Sequence, residues 1–250
     1  MKHPIRKKWG QNFLIDQNIQ RKIVDILDLN PNDNVLEIGP GYGALTKLIA
    51  PKCKQLTVVE IDPLLANEIH KLSIPNISII NKDFLNIDLE NFPRDLKCIS
   101  NLPYYITTPI IFKILEWSGW EKCVFMMQKE VAERLVSEPK TKSYGRLTIS
   151  AKLFGMVNLE FKVSSHVFQP KPEVDSAIIS ITRYNDFNYS SKFIKDFQKI
   201  VKIAFSTRRK ILKNSLKGYL NDYMIEEYGK FRPEECSMED FMKIVSSCQD

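Results

Sequence analysis

Short β-branched runs alternate with helical patterns along most of the chain, and this alternation restricts the fold more than any other feature of the sequence. "NVLEI" (34–38) precedes "ALTKLIA" (44–50), and "QLTVVEI" (55–61) precedes "PLLANEIHKL" (63–72). "ISII" (77–80), "KCIS" (97–100) and "CVFMM" (123–127) follow, the last leading into "KEVAERLV" (129–136). Strands interleaved with helices bury both faces of a sheet, which predicts an α/β fold with a mostly parallel sheet. Two further strands are expected around Leu159–Val163 and Ser176–Arg183, with no long helix between them. They predict an antiparallel hairpin at one sheet edge. From "NDFNYSS" (185–191) onward the pattern is amphipathic helix, so a boundary near Tyr184 is expected, giving domains 1–184 and 185–250.

Composition removes several classes of function. No apolar run approaches the roughly 20 residues that span a bilayer, and the basic N-terminus has no apolar segment behind it to make a secretory signal. Five cysteines (Cys53, Cys98, Cys123, Cys236, Cys248) include no CxxC pair, which suggests reduced thiols in the cytoplasm. His3, His70 and His166 show no ligand spacing, so no metal site is expected. The net charge of +6 is unevenly spread. Between Phe197 and Asn221 lie Lys199, Lys202, Arg208, Arg209, Lys210, Lys213 and Lys217 with no acid, and Lys2, Arg6, Lys7 and Lys8 are likewise unopposed. Such stretches suit a polyanion or a solvated face. In the first case Arg209, Lys213 and Lys217 would form one ridge of a helix. Ile211, Leu212 and Leu216 would dock that helix, leaving Arg208, Arg209, Lys210 and Lys213 to face RNA phosphates.

"VLEIGPGYGALTKLIA" (35–50) is a strand, a glycine turn and a helix. Gly39, Gly41 and Gly43 give GxGxG, not the GxGxxG of dinucleotide-binding folds, and let the backbone approach a ligand closely. Glu60 ends the second strand about 20 residues on, where an acid can accept from both hydroxyls of a ribose. Asp83 follows the third strand and Asn101 the fourth. In an open α/β sheet, ligands bind beyond the carboxyl ends of the strands, so Gly39, Glu60, Asp83 and Asn101 should meet in one crevice. NAD is a possible occupant on this geometry. The loop spacing, and the lack of a pattern for hydride chemistry, favour a ligand with adenosine but no pyrophosphate, such as S-adenosylmethionine.

"NLPYYITTP" (101–109) supplies what a methyl acceptor would need. Pro103 has no backbone donor and restricts Leu102, so the segment is a rigid turn. The amine of adenine is a poor nucleophile because its lone pair is delocalised into the ring. The Asn101 side-chain oxygen and the Leu102 carbonyl could draw its hydrogens out of plane and stabilise the developing charge. Tyr104 offers a face on which a base taken out of its stack can lie. Phe168, in "VFQPKPEVDSAIISI" (167–181), is placed either to cover the other face of that base or to anchor the core.

Taken together, "KKWGQNFLID" (7–16), "VLEIGPGYGALT" (35–46), "VVEID" (58–62), "NKDFL" (81–85), "NLPYYITTP", "FQPKPEVDSA" (168–177), "AFSTRRKILKNSL" (204–216) and "RPEECSMEDF" (232–241) resemble the ribosomal RNA small subunit adenine dimethyltransferases. These are the enzymes whose loss confers kasugamycin resistance. The resemblance runs nearly end to end. It implies a Rossmann-like class I S-adenosylmethionine-dependent methyltransferase with a seven-stranded sheet and a small all-helical C-terminal domain for rRNA recognition. It also implies dimethylation of two adjacent adenines in the 3′-terminal hairpin loop of 16S rRNA, late in small-subunit (pre-30S) assembly, by a cytoplasmic monomer. The donor site would comprise Asn12, Leu14, Gly39, Gly41, Glu60, Asp83 and Asn101. On residues alone, "QNFL" reads only as the start of a helix. The adenine site would be Asn101, Leu102, Pro103 and Tyr104, with Phe168 opposite. The 23S rRNA adenine methyltransferases of macrolide resistance share the glycine loop, but tend to read "NIPY" and "PKVNSA" where this chain has "NLPY" and "PEVDSA". A binding protein acting as an assembly checkpoint is the reading from another class.

Overall fold

The computed structural model describes residues 11–248. The basic cluster Lys2, Arg6, Lys7 and Lys8 therefore lies outside the described residues. The described chain forms two compact units. One runs to Ala132 and resumes over Val157–Arg183; the other takes Glu133–Met156 and continues from Tyr184.

The first unit opens with a two-residue strand, β1 (Phe13–Leu14), and helix α1 (Gln17–Ile26). It continues through β2 (Asn34–Ile38), α2 (Thr46–Ile49), β3 (Gln55–Glu60), α3 (Pro63–His70), β4 (Ile77–Asn81) and β5 (Leu96–Asn101). Next come α4 (Thr107–Glu116), β6 (Trp120–Gln128) and the start of α5 (Lys129–Leu135). After α6 (Arg146–Phe154) the chain returns as β7 (Gly155–Val163), β8 (Phe168–Gln169) and β9 (Ser176–Arg183). Seven strands form one sheet in the order β4-β3-β2-β5-β6-β9-β7. β4, β3, β2, β5 and β6 are parallel, and β9 runs antiparallel to β6. The central strands are apolar on both faces: Val35, Leu36, Val58, Cys98, Ile99, Val124 and Phe125 are almost wholly buried, as helices covering both sides require.

"QNFL" begins no helix. Phe13 and Leu14 pair with Gln169 and Phe168 in a small antiparallel ribbon, and α1 starts only at Gln17. The reason is local: the Asp16 carboxylate accepts from the N–H groups of Asn18 and Ile19, which fixes the N-cap there. Asp62 caps α3 in the same way ahead of Pro63.

The second unit is helical. α7 (Ser191–Ser206) buries Phe193, Phe197, Ile200, Val201 and Ala204 along one stripe. Short helices α8 (Leu212–Ser215) and α9 (Asp222–Tyr228) lead to α10 (Met238–Ser247), whose start is a reciprocal Ser237–Asp240 capping box. A boundary near Tyr184 would leave Glu133–Met156 in the first domain, but α6 packs against α7 and α10. Its buried face, Leu147, Ile149, Ala151, Leu153 and Phe154, needs a helical partner distant in sequence, which local pattern cannot reveal.

Candidate active site

The chain runs from β2 out through β3 to β4, then returns to β5 on the other side of β2. The strand order thus reverses between β2 and β5, and such a reversal opens a crevice at the carboxyl ends. Gly39, Glu60, Asp83 and Asn101 all line a single cavity of about 240 Å³ there. Asn12 and Leu14 reach it from the β1 segment, and Leu102, Pro103 and Tyr104 close another wall.

Local chemistry explains each wall. Gly39 and Gly41 take φ of 66° and 58°, a region costly for residues with a Cβ. A Cβ on Gly41 would also stand 3.0 Å from the Phe13 ring. The Glu60 side chain, 4% exposed, accepts from the Gly41 N–H at 3.2 Å through Oε2 and from the Asp62 N–H at 2.9 Å through Oε1. Burial pushes its carboxyl upward, and these backbone donors pull against that shift. Each oxygen retains acceptor capacity, which suits a pair of vicinal hydroxyls. The Asp83 carboxylate caps the turn Phe84–Asn86 by accepting from the Leu85 N–H at 2.9 Å. Lys113 braces the same turn: its ammonium donates to the Leu85 carbonyl at 2.7 Å and lies 5.7 Å from the Phe84 ring centroid.

Asn101 donates its side-chain N–H to the Asn12 carbonyl at 2.9 Å. The next residue, Leu102, is buried and its N–H bonds the Met126 carbonyl at 2.9 Å. The Pro103 carbonyl accepts from the Ile106 N–H and the Thr107 hydroxyl, at 3.1 and 3.0 Å. These bonds make the turn rigid. Tyr104 is oriented by a 2.7 Å hydrogen bond between its hydroxyl and that of Ser176, and burial raises its pKa.

β1–β8 pairing sets Phe168, 4% exposed, opposite Leu14 within the apolar core of the unit, and it does not line the cavity. Two residues directly opposite in the ribbon share one face, so Phe168 packs beside Leu14, which itself lines the cavity.

Three residues escaped the sequence reading. Ile61 and Phe84 line the cavity directly after the acids Glu60 and Asp83. Both follow a strand-end acid, a signal that could have found them, and Ile61 is 38% exposed, unusual for isoleucine. Glu37, on β2, is 2% exposed and accepts from the Thr46 hydroxyl at 2.6 Å. Burial pushes its carboxyl up to about 7, opposed by the Thr46 hydrogen bond and aided by the Glu60 charge.

The basic segment of the second unit departs from the expected ridge. α7 ends at Ser206, Ile211 is extended, and α8 covers only Leu212–Ser215, so Arg209, Lys213 and Lys217 share no helix. Nor is the segment without an acid in space. The Arg208 guanidinium lies 3.6 Å from the Glu234 carboxylate and donates to the carbonyls of Lys142 and Thr141 at 2.8 and 3.1 Å. Arg209, Lys210, Lys213 and Lys217 are exposed.

A parallel sheet with reversed strand order, an antiparallel strand beyond β6 and this glycine turn define a class I methyltransferase fold. The chain belongs to the ribosomal RNA adenine dimethylase family, whose profile matches residues 2–250. It is similar to the ribosomal RNA small subunit methyltransferase A of Malacoplasma penetrans, 42% identical over 98% of this chain and 92% of that protein. Among solved structures, a dimethyladenosine transferase from Plasmodium falciparum superposes with a TM-score of 0.85 at 26% identity, covering 95% of this chain and 97% of that one. The 23S rRNA methyltransferase ErmE superposes with a TM-score of 0.76 at 28% identity, covering 95% and 100%.

Proposed function

We propose that this protein transfers methyl groups from S-adenosylmethionine to the exocyclic amines of two adjacent adenines in the 3′-terminal hairpin loop of 16S rRNA, acting on the pre-30S subunit. The observation that carries the reading is the rigid Asn101–Tyr104 turn, set in one cavity with Glu60 and the glycine loop. The similarity to small subunit methyltransferase A favours 16S rRNA over 23S rRNA as substrate. No helix among the described residues is long and apolar enough to cross a membrane, and we place the protein in the cytoplasm with its substrate.

When bound, the donor supplies an electrophilic sulfonium methyl group. Glu60 would accept from its ribose hydroxyls, and Asp83 would face its base between the apolar side chains of Ile61 and Phe84. Gly39 and Gly41 admit close backbone approach, with Asn12 and Leu14 covering the donor from the β1 side. Tyr104 would stack on the target adenine. The Asn101 oxygen and the Leu102 carbonyl would accept from its amine as that nitrogen becomes tetrahedral. No strong general base is needed, because the nitrogen turns acidic once methylated.

The test is radiolabelled methylation of small and large ribosomal subunits, assayed side by side, from a strain lacking the protein. Label on two adjacent adenines of 16S rRNA is expected; label on 23S rRNA alone, or none, would refute the assignment. Glu60→Ala should weaken donor binding by about 1–3 kcal/mol, the usual loss for a hydrogen bond to a charged group. Calorimetry on the folded variant reads this directly, and unchanged affinity would remove Glu60 from the donor site.

A further inference from the structure

Between α5 and α6, Lys140 holds φ at 69°, in the left-handed region that residues with a Cβ avoid. Several bonds from within the second unit hold the loop in that shape. The Lys140 N–H donates to the Glu234 carbonyl at 2.7 Å, and the Thr141 hydroxyl donates to the Glu138 carbonyl at 2.7 Å. Tyr144, fully buried, donates its hydroxyl to the Cys236 carbonyl at 2.9 Å. Arg208 completes the set with its two bonds to the Thr141 and Lys142 carbonyls and its ion pair with Glu234. The side chains that the loop displays are nevertheless Lys140 and Lys142, both exposed and neither ion-paired among the described residues. Through Arg208 the loop is tied to the segment bearing Arg209 and Lys210, which are exposed as well.

We propose that Lys140 and Lys142 form a second phosphate-contacting element, sharing one basic surface with Arg209 and Lys210, and that Arg208 is a positioning residue for this loop. The inference rests on the reading that the substrate is rRNA. Both terminal nitrogens of this guanidinium are turned onto the loop's carbonyls, beside the Glu234 carboxylate, so the side chain is oriented toward the loop. The strained, well-bonded backbone fixes where two unpaired cations stand. Such contacts orient the protein on the RNA and read no sequence.

The experiment titrates the full-length chain with unmethylated small ribosomal subunits at several salt concentrations. Lys140→Gln with Lys142→Gln is expected to weaken binding at least about tenfold at low salt and to make the log–log salt slope shallower by about 1.4–1.8, from two lost phosphate contacts. Unchanged affinity with parallel slopes would overturn the proposal. Arg208→Lys keeps the charge but cannot span two carbonyls. It should weaken binding in the otherwise wild-type chain and add nothing once both lysines are gone, the signature of residues acting through one another. Wild-type affinity in Arg208→Lys would mean that only its charge matters, and would overturn the positioning role. Wild-type protein that fails to bind small subunits at all would refute the rRNA reading, and this proposal with it. Calorimetric donor binding, unchanged in every variant, separates these losses from misfolding.

Discussion

Asn101→Ala is expected to cut methyl transfer by at least about a hundredfold at saturating donor and RNA, comparable to losing one preorganised polar group in other active sites. The geometry says why the loss should fall on turnover. The Asn101 amide is not a loose side chain at the cavity wall. Its N–H is held by the Asn12 carbonyl at 2.9 Å, which turns the oxygen of the same amide to a fixed orientation. The neighbouring carbonyl, that of Leu102, is fixed by the Leu102–Met126 backbone bond and by the turn at Pro103. An acceptor pair already in place costs no reorganisation as charge develops on the amine, so removing one member raises the barrier more than it weakens ground-state binding. Asn101→Asp is a demanding companion. It keeps an acceptor but sets a carboxylate oxygen against the Asn12 carbonyl, so it too should be impaired. Single-turnover rates with donor affinity measured alongside decide the matter. A fall of less than tenfold in Asn101→Ala would reject this role.

Glu37→Gln should change how stability depends on pH. The buried Glu37 carboxyl is pushed up to about 7 from an ordinary 4.5, chiefly by burial, with the Thr46 hydrogen bond opposing and the Glu60 charge adding to the rise. The folded protein therefore holds this proton more tightly than the unfolded chain does. The resulting stabilisation is full below pH 4.5 and is lost as pH climbs from there through 7. Between pH 5 and 8 this one group should remove about 2–3 kcal/mol of stability. Glutamine keeps the shape and cannot ionise, so the wild type should lose that much more than Glu37→Gln over the same interval. Denaturant unfolding at the two pH values gives the difference. Equal losses would mean that Glu37 is ionised in the fold or titrates normally.

What the sequence by itself determined is whatever depends on neighbours along the chain. β-Branched runs separated by helical patterns specify strands and crossovers, and the parallel sheet follows because both faces must be covered. Glycines in GxGxG permit positive φ at Gly39 and Gly41, and strand ends are where acids and amides can meet a ligand. Sequence alone therefore places Asn101, Glu60 and Asp83 at one crevice, where they line a single cavity, and it makes the turn at Pro103 stiff. Tertiary structure decided whatever depends on pairing between distant segments. Phe168 is buried beside Leu14 only because β8 pairs with β1, a strand far away in sequence. Asp16 sets the start of α1 locally, but Phe13 and Leu14 of "QNFL" are a strand through pairing with Gln169 and Phe168, which lie far along the chain. Glu37 looks like any strand acid until helices on both sides of the sheet strip it of water. Arg208 looked unopposed because its acid, Glu234, lies far along the chain, and the expected basic helix was interrupted after Ser206. Burial, desolvation and ion pairing belong to the folded surroundings, and a periodic pattern carries no record of which remote residues will provide them.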